Sequence, residues 1–478
     1  MIIGTVVLSA LGLLITVLII RAIRFQPKVR SSAQIETVKL DETRIIESLS
    51  KMIQFKTISH PDASKNDAEQ FEGFRRYLVD RYPRINAQAE RIDINGSAVL
   101  FKLKGKSSDN PSVLMSHYDV VPQNGTWLHD PFCGEIIDGY VYGRGTLDTK
   151  TTLLSVMEAV EHVLAEGKTF ERDVYLAFAG DEEVFGQDAL KVVDYFEKAN
   201  IRPGFVLDEG GAVTSDVFPG VKGNVAVIGT SEKGVMSLEL VASGKGGHAS
   251  TPDHQTPITV LATAVKRLNH PKTFSLRLTQ SVRDMFDTLG RESQSFGIRL
   301  IFANLWLFWP LVKRLALKRG GQLLSLMKTT QAFTMMQGSE AVNVLPSEAR
   351  IGVNYRLLTG ETQAEVLERI TKKLKGLPVS IHTLYGSDPT PVSQVDESYQ
   401  MLEQAIQKTF GDLCITPYLM MATTDSRHYH RISDHVYRFS PLYMGKDALK
   451  SIHGVEEKVP VEDVIRCVRC YIHLLDAL

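Results

Sequence analysis

The stretch TTLLSVMEAVEHVLAEGKTFERDVYLAFAGDEEVFGQDALKVVDYFEKANIRPGFVLDEGG (residues 151–211) decides the fold class of this chain. Residues 151–167 predict a helix, residues 173–183 predict an apolar strand with a polar exit turn, and residues 204–211 predict a second strand of the same kind. Strands that are separated by helices imply a largely parallel sheet with helices on both faces. The stretch therefore predicts a three-layer α/β domain.

The same alternation extends on both sides of this stretch. Residues 41–55 predict an amphipathic helix, and residues 111–119 contain another short apolar strand. We assign residues 41–229 to the first part of the main α/β domain and residues 384–478, where the chain returns to it, to the second part. A chain of 478 residues is too long for one ordinary domain, which agrees with this division.

Residues 230–383 have a different character and predict a smaller lid domain inserted into the main one. Their alternating strands and amphipathic helices form a split β-α-β pattern, which is typical of an α+β domain. The predicted elements are strands at 234–244, 348–358 and 379–385 and helices at 256–270 and 364–376.

An apolar insertion, residues 271–335, interrupts the lid domain. It contains the segment IRLIFANLWLFWPLVKRLAL, which Asn304 and Pro310 break, so it is too interrupted for a membrane span. A buried helical hairpin is one interpretation. A wall for an apolar substrate, or a patch that faces a membrane, is the other, and the sequence leaves the choice open.

Residues 1–20 carry no charged side chain and, as a helix, would cover the roughly 30 Å of a bilayer core. They lack the basic start and the clear cleavage site of a secretory signal peptide. We therefore predict a retained single-pass transmembrane anchor, followed by a polar linker over residues 21–40.

The side of the membrane on which the chain lies stays open. Four basic residues follow the apolar run and favour a cytoplasmic position by the positive-inside rule. Two glycosylation sequons, at Asn95 and Asn124, favour the opposite side. The four basic residues are Arg21, Arg24, Lys28 and Arg30.

Composition excludes several other classes of protein. The chain is 44% hydrophobic and 23% charged, as a folded globular protein is. Its formal net charge of −1 argues against nucleic acid as a partner. The four cysteines are too few for a disulfide framework, and we interpret Cys467 and Cys470 as thiols on a C-terminal helix.

Polar clusters directly follow four apolar segments of the main domain. In an open α/β sheet the ligand crevice lies beyond the carboxyl ends of the strands, so these clusters should converge there. Carboxylates and imidazoles without a compensating Lys or Arg would repel each other unless a cation neutralised them, and zinc, manganese or cobalt suits such ligands. The clusters are His117-Tyr118-Asp119, Asp148, Asp181-Glu182-Glu183 and Asp208-Glu209.

Spacing predicts individual roles within these clusters. Asp119 lies two residues after His117, so it can accept the second ring N–H of that histidine and fix its tautomer. Asp148 precedes a predicted helix, where a carboxylate suits either a helix cap or a position between two ions. Glu182 and Glu183 are neighbours whose side chains should diverge, so one can bind metal while the other accepts a proton from water.

The segments MSHYDVVP, WLHDPF, YGRGTLDTK, AGDEE, VLDEGG, SGKGGHAST and SIHGVEEKV occur in this order along the chain. They resemble the zinc peptidase and amidohydrolase family of aminoacylase, carnosinase, glutamate carboxypeptidase and carboxypeptidase S. The resemblance covers residues 41 to the end. It is closest to the carboxypeptidase S branch, which includes enzymes that make and hydrolyse N-fatty-acyl amino acids.

The resemblance implies a role for each site residue. It implies two Zn²⁺ ions, for which manganese or cobalt could substitute, with Asp148 bridging them and Glu182 as general base. His248 matches the residue that stabilises the tetrahedral oxyanion. The substrate's carboxylate would be bound by Asn343, Arg356 and, as a further candidate, Arg427. The implied metal ligands are His117 and Asp208 on one ion and Glu183 and His453 on the other, with Asp119 behind His117.

Three positions depart from the family's pattern: Thr149 where a second Asp is common, Gly180 where His is common, and Glu456 where Asn or Asp is common. We expect these departures to affect substrate preference more than catalytic activity. In relatives the lid domain often dimerises, which implies a homodimer here unless the insertion covers that surface.

The leading hypothesis is a metal-dependent hydrolase that cleaves, and can also form, the amide bond of N-acyl amino acids, including long-chain ones. The alternative within enzymes is a carboxypeptidase or dipeptidase that acts on short peptides. An alternative from another class is a catalytically silent, membrane-anchored binding protein.

Overall fold

A mixed β-sheet forms the centre of the main domain. The computed structural model describes residues 2–27, 34–215, 217–218 and 220–478. The strands of this part of the chain are β1 (Ala89–Ile92), β2 (Val99–Leu103), β3 (Ser107–His117), β4 (Ile136–Ile137), β5 (Tyr140–Tyr142), β6 (Arg172–Ala179), β7 (Phe205–Asp208), β8 (Ala212–Ser215), β9 (Asn224–Glu232), β10 (Gly234–Ser243), β11 (Gly247–His248), β12 (Thr330–Gln337), β13 (Val344–Leu345), β14 (Glu348–Leu357), β15 (Ser380–Ser387), β16 (Cys414–Met420), β17 (Val436–Arg438) and β18 (Lys458–Pro460).

Helices cover both faces of the sheet, as the alternating pattern predicts. α5 and α15 pack on one face with α2 and α13, and α6 packs on the other. The helices of the described residues are α1 (Ile2–Arg24), α2 (Glu42–Ile53), α3 (Ala68–Arg81), α4 (Pro83–Gln88), α5 (Lys150–Ala165), α6 (Asp188–Lys198), α7 (Pro257–Leu268), α8 (Gln280–Glu292), α9 (Phe296–Ala303), α10 (Leu305–Arg319), α11 (Gly321–Met327), α12 (Gln363–Leu374), α13 (Glu397–Phe410), α14 (Lys446–Ser451) and α15 (Val461–Ala477).

The strand order of the main sheet is β1-β2-β6-β3-β7-β17-β9-β16, with β8 paired to β9. The central strands β6, β3, β7 and β17 are mutually parallel, whereas β1, β2 and β8 pair antiparallel. The parallel pairing aligns the carboxyl ends of the central strands, so that His117 stands opposite Ala179 and Asp208 opposite Arg438. The polar residues that follow these strands therefore meet at one edge of the sheet.

The lid domain is an antiparallel sheet of order β12-β14-β10-β15 with α7 and α12 packed on one face. Alternate residues of β14 are buried, because one face of the strand meets the helices and the other does not. The chain leaves the main sheet at Glu232, the end of β9, and enters the lid at Gly234, so the crossing takes a single residue, Lys233.

The apolar insertion packs against the main domain, although its sequence lies within the lid segment. The apolar face of α8 (Val282, Met285, Phe286 and Leu289) joins a core cluster with Tyr418 and Leu419 of β16. Because β16 is an edge strand of the main sheet, the insertion covers apolar side chains that would otherwise face solvent.

The N-terminal helix α1 is long and apolar enough to cross a membrane, a property that a signal sequence near the N-terminus shares. It continues to Arg24, so the first four residues of the predicted linker 21–40 are helical. Lys28 and Arg30, two of the basic residues in the orientation argument, lie outside the described residues. Cys467 and Cys470 are buried free thiols on α15, as predicted from sequence.

Candidate metal centre

Two histidines and one aspartate form the middle of the site. His117, the last residue of β3, has its Nε2 atom 3.0 Å from Oδ1 of Asp148. His453 has its Nε2 atom 3.1 Å from Oδ2 of the same carboxylate. Asp148, which lies two residues before α5, thus offers one oxygen to each histidine. This is the arrangement that a carboxylate between two cations requires.

Two glutamates complete two sets of potential ligand atoms. His117, Asp148 and Glu209 have ligand atoms that all lie within 4.8 Å of one another, and so do Asp148, Glu183 and His453. Glu183 has Oε2 3.1 Å from Nε2 of His453. Asp148 belongs to both sets, so the geometry suits two ions that share it.

Asp208, which the resemblance implies as a ligand, takes a different position. Its carboxylate accepts hydrogen bonds of 2.9 Å from the backbone N–H groups of Glu209 and Ser426. β7 ends at Asp208. Because successive side chains on an extended chain point in opposite directions, the side chain of Glu209 faces His117 and that of Asp208 does not. The geometry therefore favours Glu209 over Asp208 as the potential ligand beside His117 and Asp148.

Glu182 lies beside these ligands without joining them. It opens a short 3₁₀ turn, Glu182–Val184, and its carboxylate belongs to neither set of ligand atoms among the described residues. Burial raises the pKa of Glu182 well above its usual range, while His117 opposes this shift and Asp425 and Glu183 add to it. A raised pKa favours a carboxylate that takes up a proton during a reaction.

Asp119 holds two parts of the site together. Its carboxylate lies 3.3 Å from Nδ1 of His117 and accepts hydrogen bonds from the backbone N–H groups of Glu182 (3.2 Å) and Glu183 (3.1 Å). Ser59 donates a further hydrogen bond of 2.7 Å to it. The side chain is fully buried, so it fixes the ring of His117 and the 182–183 turn at once.

The charges of the site call for a cation. Burial would raise the pKa of Asp148, but hydrogen bonds from His117 and His453 hold it well below its usual range. Hydrogen bonds to Asp148 and Glu183 raise the pKa of His453 to about 10. Burial raises the pKa of Glu209 well above its usual range, and nearby Asp148 adds to this. The nitrogen and oxygen donors of this acidic cluster fit divalent cations of the zinc type.

A buried ion pair, which sequence reasoning missed, fixes the loop that carries Asp148. Arg144 Nη1 lies 2.7 Å from Oε2 of Glu457, and both side chains are buried. Oε1 of Glu457 accepts hydrogen bonds from the backbone N–H groups of Gly145, Leu147 and Asp148. Since Glu457 lies four residues after His453, this one carboxylate ties the segments of two ligands together. The only feature of the sequence that could have indicated Glu457 is its position within the motif SIHGVEEKV.

A second buried pair supports Asp208 at the edge of the lid. Arg438 donates from Nε to Oε1 of Glu232 at 2.5 Å, and the same carboxylate accepts hydrogen bonds from Thr424. Ser426 contacts both Glu232 and Asp208. The end of β9, where the chain leaves for the lid, is thus bonded to the loop that follows β16.

The positions that depart from the family's pattern have local explanations. A side chain at Gly180 would lie 2.7 Å from the hydroxyl of Tyr118, so the tyrosine occupies the space that a histidine would need. Thr149 donates a 2.8 Å hydrogen bond to Thr152 at the start of α5. Glu456 accepts hydrogen bonds from the backbone of Leu128 and from the ring of His129, which holds the WLHDPF segment.

The predicted lid residues His248 and Asn343 lie together but away from the ligands. His248 is exposed on β11 with Nδ1 2.7 Å from the hydroxyl of Ser250, and the carbonyl of Asn343 accepts a hydrogen bond from Ala249. Among the described residues, the two groups of potential metal ligands contain no lid side chain. The structure therefore does not bring these two residues to the metal centre.

The two predicted arginines lie near an aromatic pair at the domain boundary. The guanidinium of Arg427 lies over the ring of Phe185 at 5.6 Å, and that ring is 5.4 Å from the ring of Tyr385 in the lid. Burial lowers the pKa of Arg356, while nearby Tyr385 opposes this shift. Phe185 follows the 182–184 turn directly, so this boundary is continuous with the site.

The fold and the site define a metal-dependent hydrolase built from a main α/β domain and a lid. A model of peptidase family M20/M25/M40 matches residues 113–477, and the chain belongs to this family. The predicted family resemblance and fold class are thereby confirmed.

Three known proteins illustrate the relationship. Probable carboxypeptidase S-like 2 of Dictyostelium discoideum is 33% identical over 97% of this chain and 92% of its own length. N-fatty-acyl-amino acid synthase/hydrolase PM20D1 of Xenopus tropicalis is 33% identical over 99% of this chain and 95% of its own length. The crystal structure of an M20 family metallo-carboxypeptidase from Sulfolobus solfataricus, 18% identical, covers 91% of this chain and 99% of its own with a TM-score of 0.69, which supports the fold.

Proposed function

We propose that this protein is a two-zinc amidohydrolase that cleaves, and in reverse forms, the amide bond of N-acyl amino acids, including long-chain ones. The observation that carries the proposal is the pair of ligand groups that share Asp148, with the uncoordinated carboxylate of Glu182 beside them. Similarity along nearly the whole chain to an N-fatty-acyl-amino acid synthase/hydrolase supports the substrate class.

The side chains of the main domain have separate roles in this reaction. We assign His117 and Glu209 to one ion, Glu183 and His453 to the other, and Asp148 to both. Bound zinc would supply a Lewis acid that polarises the scissile carbonyl and makes water more acidic. Glu182 accepts the proton of the attacking water and returns it to the leaving amine, for which its raised pKa suits it. Asp119 keeps His117 and the 182–183 turn in position.

The substrate's carboxylate is assigned to the arginines at the domain boundary. Arg356 is half-buried beside Tyr385, and Arg427 lies against Phe185, next to the turn that carries Glu182. A guanidinium can bind a carboxylate through two parallel hydrogen bonds. Asn343 and His248 would reach the substrate by movement of the lid, His248 as a donor to the oxyanion. We further infer that α1 holds the enzyme at a membrane as a single-pass anchor.

Peptide cleavage is the second candidate function. The similarity to a probable carboxypeptidase S-like protein favours a peptidase that acts on short peptides. Both reactions use the same metals and the same base. The two differ in the acyl side of the substrate, since a long chain needs an apolar groove and a peptide's free amine needs an acidic partner.

A panel of substrates tests the proposal. The purified full chain in detergent is assayed with N-oleoyl, N-acetyl and Gly-X substrates that share one C-terminal amino acid, with and without a chelator. We expect chelator-sensitive hydrolysis with the highest kcat/KM for the N-oleoyl compound. A preference for Gly-X would favour the peptidase. No hydrolysis of any substrate by a chain that holds two equivalents of zinc would indicate the silent binding protein.

A further inference from the structure

The end of α1 is bonded to the apolar insertion. Arg21 donates from Nη2 to the carbonyl of Ala303 at 2.9 Å, which caps the end of α9. The buried Asn304 donates from Nδ2 to the carbonyl of Leu18 at 3.0 Å. These contacts join the last turns of α1 to the bend between α9 and α10.

Side-chain packing next to these bonds adds further contacts to the junction. Arg291 of α8 lies over the ring of Phe25 at 4.4 Å. Gly290 leaves room for Phe25 and for Phe302 of α9, because a Cβ atom at this position would come within 2.8 Å of both. The last turns of α1 therefore pack against α9, and Phe25, which follows the helix, packs against α8.

The junction has a defined depth relative to any membrane that α1 enters. The helix exposes apolar side chains from Ile2 to Ile20, and Arg21 and Arg24 follow. Arginines at the end of an apolar helix mark the level of the lipid head groups. Since Arg21 contacts Ala303, the bend at Asn304 lies at this level too. α10 starts at the bend and runs at 113° to α9.

The outer surface of α10 combines exposed apolar side chains with basic ones. Val312 and Ala316 are buried against the main domain, whereas Trp306 is 62% and Leu311 50% exposed. Tryptophan is enriched at the level of the head groups, and basic side chains there contact lipid phosphates. The further exposed apolar residues of α10 are Leu307, Leu315 and Leu317, and its basic residues are Lys313, Arg314, Lys318 and Arg319.

We propose that the exposed apolar surface of α10 lies in the head-group layer of the same bilayer that holds α1, so that the protein rests on the membrane at two linked points. A bilayer is the fitting partner because α10 begins at the bend that the Arg21 and Asn304 hydrogen bonds join to α1, whose exposed side chains are apolar. The proposal rests on the assignment of α1 as an anchor and is independent of the substrate.

Quenching of tryptophan fluorescence by brominated phosphatidylcholine tests the proposal. The full chain, with its three tryptophans, is reconstituted in liposomes whose lipids carry bromine either near the head group or deep in the acyl chain. We expect stronger quenching by the shallow bromines. Trp306→Phe should remove most of this quenching, whereas Trp127→Phe should retain it.

A matched pair of charge substitutions provides the control. Leu311→Glu should reduce the shallow quenching of Trp306, and Leu449→Glu on α14, where the leucine is similarly exposed (53% against 50%), should not. Circular dichroism verifies that each variant is folded. Stronger quenching by the deep bromines would overturn the interfacial placement, and no quenching of a chain that floats with the liposomes would overturn membrane contact altogether. Neither outcome depends on hydrolytic activity, so failure here is distinct from failure of the proposed function.

Discussion

The metal centre and the lid both carry polar side chains of the predicted site, but only those of the metal centre are brought together by the fold. In the main domain, five potential ligands from distant parts of the sequence form two groups that share Asp148, and the ligand atoms within each group lie within 4.8 Å of one another. In the lid, His248 and Asn343 are neighbours of each other but exposed. The sheet of the main domain assembles the first group, whereas the second lies apart from it on the lid. Metal binding should therefore depend on the main domain, and the later steps of the reaction on the lid.

Loss of the shared ligand should have the largest effect. Asp148→Ala removes the carboxylate that belongs to both ligand groups, so we expect loss of both ions and of all measurable activity. Metal analysis of the purified variant checks this. Retention of two equivalents would show that Asp148 does not bridge.

The choice between Asp208 and Glu209 as a metal ligand can be tested with a matched pair of variants. Glu209→Gln should lose one of two metal equivalents, because its carboxylate faces His117 and Asp148. Asp208→Asn should keep both, with a lower melting temperature, because its carboxylate accepts hydrogen bonds from the backbone. The reverse result, with metal lost only in Asp208→Asn, would restore the assignment made from sequence.

The lid should affect turnover and leave metal content unchanged. His248→Ala should lower kcat by about 10²–10³ if the imidazole donates to the oxyanion. His254→Ala, another exposed histidine of the lid, is the matched control and should have normal kcat. An unchanged kcat for His248→Ala would remove the lid from the chemical step.

The smallest effect is expected at the domain boundary. Arg356→Lys keeps the charge but not the two parallel hydrogen bonds, so we expect KM to rise about tenfold with little change in kcat. Steady-state kinetics on one N-acyl amino acid measure both constants. A fall in kcat at constant KM would assign Arg356 to the reaction rather than to substrate binding.

The features that could be predicted from the sequence are those that depend on hydrophobic periodicity and on the ends of apolar strands. The strand ends at His117 and at 181–183 could be found because apolar runs stop there, and the family motifs located His453 far along the chain. The choice between Asp208 and Glu209 could not be made, since it depends on the direction in which the chain turns after β7. Likewise, the local sequence pattern assigns no role to Glu457, whereas the fold brings its carboxylate to the backbone N–H groups of Gly145 and Leu147.

The insertion is the clearest case of an element whose location sequence could not predict. Its chain position within 230–383 assigns it to the lid, yet α8 packs on β16 of the main sheet. The insertion has both buried and exposed apolar side chains: Val312 and Ala316 are buried, while Trp306 and Leu311 are exposed. The burial of these apolar residues depends on the position of the edge strand β16. The sequence pattern of the insertion itself cannot predict that position.

The most direct test of the central claim compares Glu182→Gln with Glu183→Gln, by metal analysis and turnover on the same preparations. Glu182 lies outside both ligand groups and Glu183 within one. We expect Glu182→Gln to retain two metal equivalents while its kcat falls by roughly 10²–10⁴ or more, as loss of a general base requires. Glu183→Gln should lose metal as well as turnover. Full activity of Glu182→Gln with both ions bound would contradict the account.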